Sequence, residues 1–154
     1  MKHIEKILVS AGVCAILAAA PAAAKPWVDY SPGKGVWEVT MVKVDPNKID
    51  DYLTGLKKSW VPGQELAKKK GIIDDYVVMV KANAADGQGN VMLAQHFVNF
   101  AVLDPNKARD MEMEKEGQKI MSDKDAKAMV AGFDKYRTFV GDAFWGPVNF
   151  NPKK

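Results

Sequence analysis

Cysteine and histidine are almost absent from this chain. Its one cysteine, Cys14, falls in an apolar N-terminal stretch, and its two histidines are His3 and His96. Without thiols, the body of the protein can form no disulfide, hold no thiolate metal centre and present no cysteine nucleophile. Phosphate-cradling glycine loops, nucleophile elbows and zinc-ligand spacings are missing as well, which removes the common nucleotide-binding, serine-hydrolase and zinc-enzyme classes. The acidic pairs Asp50-Asp51 and Asp74-Asp75 lack further ligands at metal-site spacing. The run Met111-Glu112-Met113-Glu114 alternates around a helix instead of sharing one face, so no metal centre is predicted. Charge of one sign is not in excess either: 22 basic residues stand against 19 acidic ones, which gives no footprint for nucleic acid or an anionic membrane.

The chain does carry an N-terminal address. Lys2 and Lys6 make a basic start, residues 7–20 form an apolar core too short for a comfortable membrane span, and Pro21-Ala22-Ala23-Ala24 supplies small side chains for signal peptidase. Residues 1–24 therefore predict a signal peptide and a periplasmic or secreted product with no membrane span after cleavage. The chain from residue 25 onward has the size of one ordinary domain. Residues 25–34 hold two prolines and a glycine and predict an extended N-terminal arm, pinned to the body by Trp27 and Tyr30. Residues 35–146 predict one α+β domain, and residues 147–154 an irregular tail.

A repeated phrase organises that domain. Val44-Asp45-Pro46-Asn47-Lys48 with Asp51 recurs as Leu103-Asp104-Pro105-Asn106-Lys107 with Asp110, 59 residues on (Asp45 to Asp104). Asp before Pro suits a helix start: the carboxylate accepts free amide hydrogens of the first turn, and proline lacks the N–H that would go unpaired there. The first phrase ends a β-branched run at 36–44 and precedes a helical stripe of Ile49, Tyr52, Leu53, Leu56 and Trp60. Pro62-Gly63 predicts a bend in that helix, and Gly71 its stop. Strands are predicted over 72–82 and 91–101 around a turn at 83–90. After the second phrase comes a helix with apolar positions at Ala108, Met111, Ile120 and Met121. Ser122 then caps a short helix bearing Met129, Val130 and Phe133, and the last strand spans 136–145.

The order strand, helix, strand, strand, helix, strand predicts a ferredoxin-like βαββαβ fold with a four-stranded antiparallel sheet. Helices cover one face of such a sheet. The strand at 91–101 has large apolar side chains on both faces, which predicts that the second face is buried too, most simply in a homodimer. With the Trp60-x-Pro62 interruption, the Gly71 stop and the extra helix before the last strand, the chain resembles the dimeric α/β-barrel superfamily, including NIPSNAP-like and antibiotic-biosynthesis-monooxygenase-like proteins. The resemblance covers residues 35–145. It implies two sheets closing one barrel, and it spans cofactor-independent oxygenases, isomerases and haem-binding proteins without a diagnostic catalytic motif.

His96 is the best single candidate for chemistry, as a general base near neutral pH or an axial haem ligand; its alternative is a hydrogen-bonded interface histidine. Glu38 shares a face of its strand with Thr40, and Gln95 shares one with Asn99. If these faces coincide, they place polar groups in an apolar cavity, with Trp60, Tyr76 and Arg137 as further ligand-binding residues. The expectation is an exported binder of a small apolar or aromatic compound with His96 and Glu38 as catalytic residues if it is an enzyme, a question the sequence leaves open. No cofactor is required, with haem as the exception to test. The rival from another class is a non-catalytic envelope protein that works through protein contacts.

Overall fold

The computed structural model describes residues 24–82 and 88–152, so the predicted signal peptide and most of the 83–90 turn lie outside the described residues. Four long strands form one sheet: β2 (Val36–Val44), β3 (Asp75–Val80), β4 (Val91–Phe97) and β5 (Arg137–Trp145). Their spatial order is β3-β4-β2-β5 and every neighbouring pair is antiparallel. Helices α1 (Ile49–Lys58) and α2 (Trp60–Lys69) connect β2 to β3; α3 (Lys107–Ile120) and α4 (Asp123–Phe133) connect β4 to β5. This is the ferredoxin-like α+β fold. Among the described residues no helix is long and apolar enough to cross a membrane.

The two Asp-Pro phrases work differently. Asp45 accepts the Asn47 N–H at 2.9 Å and caps a one-turn 3-10 segment, Pro46–Lys48, that leads into α1. In the second copy Asp104 instead ends a 3-10 turn, Phe100–Leu103, and Asn106 is the cap, accepting the Arg109 N–H at 3.1 Å. The 91–101 strand accordingly stops at Phe97. The 72–82 strand is likewise confined to Asp75–Val80. The helix break falls at Ser59, earlier than the Pro62-Gly63 bend the sequence suggests. A proline ring collides with the carbonyl four residues before it, here Lys58, so the chain breaks upstream and Pro62 sits in the first turn of α2. The Ser59 hydroxyl donates to the Gly55 carbonyl at 2.9 Å and seals the junction.

Val42, Val44, Tyr52, Leu56, Val91, Leu93 and Phe133 make the main core between the sheet and helices α1 and α4. Gly55 lets α1 approach closely, because a Cβ there would collide with the Phe133 ring. Helix α3 buries no residue; Met111 and Ile120 are exposed and the helix lies beside α2, with Lys70 Nζ 2.5 Å from Glu112. The arm and tail form a ribbon of their own. Strand β1 (Tyr30–Pro32) pairs with β6 (Val148–Phe150), replacing the irregular tail expected at 147–154. Asn151 locks it by donating to the Val28 carbonyl at 3.0 Å and the Trp27 carbonyl at 3.4 Å, whereas the Trp27 residue, expected to pin the arm, is 73% exposed.

Candidate functional site

Strand alternation sorts the candidate residues onto two faces. Val36, Glu38, Thr40 and Val42 of β2 point to the helices, and register pairs Glu38 with Gln95 and Thr40 with Leu93 of β4. On β5 the pairing is interrupted: Val42 faces Phe139, Met41 faces Gly141, and Val140 is the extra residue of a bulge. The bulge switches parity, so Arg137 and Phe139 before it share the helix-side face with Asp142 and Phe144 after it.

A cavity of about 370 Å³ lies between this face and the helices. Leu93, Phe139, Leu56, Trp60, Val130 and Phe133 wall it, and Glu38, Thr40, Gln95, Ser59 and Arg137 bring polar groups to it. Gln95 donates its amide to the Glu38 carboxylate. Thr40 donates to Asp142 at 3.1 Å. Arg137 is 9% exposed, and its guanidinium lies 4.9 Å from the Phe133 ring centroid and 4.8 Å from that of Phe139. Its Nε and Nη2 reach Asp134 at 3.3 Å, while Nη1 has no hydrogen-bond partner among the described residues. Two rings at cation–π distance hold the charge in place, and Nη1 is left for recognition.

Of the residues singled out from sequence, Glu38, Gln95, Trp60 and Arg137 meet at this cavity. Tyr76 does not line it. Its ring packs edge-on to Trp60 at 5.5 Å and its hydroxyl donates to Glu65, a bond that raises the phenol above its ordinary value. Asn99 lies beyond β4 and is exposed. His96 is on the opposite face, paired in register with Trp37, so it and Glu38 are not joint groups of one site. Its Nδ1 is 2.5 Å from Asp74 and its ring is 4.9 Å from that of Trp37. Ser59 and Phe139 were missed. Ser59 comes to the cavity through the helix break, and the placement of Phe139 depends on the cross-strand pairing of β5.

An axial-ligand role for His96 finds no room. Asp74 engages Nδ1, and the Cε1–Nε2 edge lies so near Gly35 that a Cβ there would collide with it. His96 lines neither the helix-side cavity nor the grooves of about 380 and 290 Å³ on its own face, where Met41 and Met92 are central. His96 is therefore not placed as an axial haem ligand within this subunit.

No protein-family model matches this chain, and no curated protein matches it. Among solved structures, the crystal structure of a dimeric ferredoxin-like protein from an uncultured marine organism is similar over 79% of this chain and 93% of that one, at 11% sequence identity and a TM-score of 0.42. The strand order β3-β4-β2-β5 and its paired-helix connections carry the fold independently of that likeness.

Proposed function

We propose that the protein is an exported homodimer of the dimeric α/β-barrel type that binds a small apolar or aromatic molecule in the cavity between sheet and helices. The observation that carries this reading is the apolar cavity with few, convergent polar groups, the usual composition of a small-molecule site. The leader-like sequence of residues 1–24 supports export, and the likeness of element order to NIPSNAP-like and antibiotic-biosynthesis-monooxygenase-like proteins supports the barrel. Homodimerisation is supported by the bare sheet face, where Trp37, Val39, Met41, Val77, Met79, Met92 and Trp145 project with no helix of the described residues above them. His96 belongs to that face. If the cavity performs proton transfer, Glu38 is therefore the available base.

The test is a thermal-shift screen of monocyclic and bicyclic aromatic compounds against the mature protein, repeated on Val130→Trp, which places a large side chain at the cavity wall. A binder at a hundred times its dissociation constant stabilises the native state by about 2.7 kcal/mol. Several degrees of shift in the wild type and none in Val130→Trp are expected. No shift with any compound would overturn the binding reading and leave protein contacts as the working function.

A further inference from the structure

Resting on that reading of the cavity, we infer that its ligand is an elongated aromatic acid, with a carboxylate at the Arg137 end and a hydrogen-bond donor, such as a phenolic hydroxyl, at the Glu38 end. The polarity of the site is split along the strands. Arg137 is opposite Val44 and Glu38 is six residues away on the same strand, a separation of about 20 Å along β2 that the long arginine side chain shortens. At the first end the cavity has a guanidinium that is always charged, largely out of water and clamped by Phe133 and Phe139. Its carboxylate partner, Asp134, is held at 3.3 Å through one oxygen, well short of a bidentate pair, and Nη1 is unpartnered among the described residues.

The other end is the reverse. Glu38 takes the Gln95 amide, so the acceptor capacity left over on its carboxylate favours a donor and repels a second anion. Leu93, Trp60 and Phe139 on the cavity wall supply apolar and ring surfaces suited to a flat body. A compound that is charged at one end only, and a donor at the other, matches both polar ends of the cavity. A dicarboxylate would press one anion on Glu38, and a diamine would press one cation on Arg137.

Binding should be measured by calorimetry with a biphenyl carboxylate bearing a para hydroxyl on its far ring, its methyl ester, and its methoxy analogue. The acid is expected to bind roughly tenfold or more tightly than the ester, since a hydrogen bond to a buried charge is lost in the ester. In Arg137→Gln that acid-over-ester preference should vanish, and in Glu38→Gln the preference for hydroxyl over methoxy should shrink while acid over ester persists. Equal binding of acid and ester to the wild type would overturn this inference and leave the cavity as an apolar binding site. Failure of all three to bind, with the aromatic screen also negative, would remove both. The circular dichroism and melting of each variant separate a lost contact from a lost fold: a variant that melts early is replaced by Arg137→Lys, which keeps the charge but not the planar fork and should retain part of the preference.

Discussion

At the scale of single residues, the side chain that does most for the sheet is Asn90, 6% exposed at the start of β4. Its Oδ1 accepts the Val44 N–H and its Nδ2 donates to the Val44 carbonyl, both at 2.8 Å, while its own N–H reaches the Val42 carbonyl at 2.9 Å. The side chain thus acts as a strand segment where the ladder to β2 has run out. Asn90→Ala leaves a buried N–H and a buried C=O unpaired and should cost about 2 kcal/mol or more by urea denaturation. Asn90→Asp is the sharper comparison. It keeps the acceptor for Val44 N–H but turns a carboxylate on the Val44 carbonyl, so it should be no better than alanine near neutral pH and recover partly when acid protonates it.

At the scale of elements, the entry to α3 is a small electrostatic assembly. Arg109 donates to the Val102 carbonyl at 2.5 Å and the Asp104 carbonyl at 2.9 Å, tying the 3-10 turn to the helix, and its Nε donates to Asp110 at 2.8 Å. Asp110 also accepts the Asn106 N–H. The Arg109 hydrogen bond first, and the Asn106 amide after it, hold the Asp110 carboxyl below its ordinary value. A carboxyl depressed on folding adds stability that is present above its unfolded value and is lost as the pH falls through the folded one. Acid should therefore loosen the start of α3, and Asp110→Asn should flatten the stability profile below about pH 4 relative to wild type. Amide exchange at the first turn of α3 reads this directly. Because the group is exposed, the effect belongs to this helix end and not to global unfolding.

At the scale of the whole molecule, the decisive feature is the uncovered face of the sheet. Met79 and Trp145 are 52% and 62% exposed there, and grooves lined by Met41 and Met92 run between them. Such a face buried in a homodimer removes a large apolar patch from water. Light scattering at micromolar concentration should give twice the subunit mass for the wild type. Met92→Lys, which puts an ammonium in the middle of the face, should give a folded monomer. A wild type that is itself monomeric would overturn the dimer.

The amino-acid sequence by itself determined the succession of the four long strands and the helices between them, the apolar positions Tyr52 and Leu56 of α1 and Phe133 of α4, the Ser122 cap and the 36–44 strand, because each depends on side chains a few residues apart. It also carried the chance of Glu38 and Gln95 sharing a face, since alternation along each strand is a local property. Only the tertiary structure decided that they are cross-strand partners, and with that pairing the neighbouring His96 must point the other way. The same holds for the bulge that aligns Arg137 with Asp142, for the break at Ser59 that turns Trp60 into the cavity, and for the ribbon that pairs Tyr30 with Phe150. Each of these depends on which distant strand or helix comes alongside. Register is set by contacts between segments far apart in the chain, and a one-residue change in it exchanges the two faces of a strand.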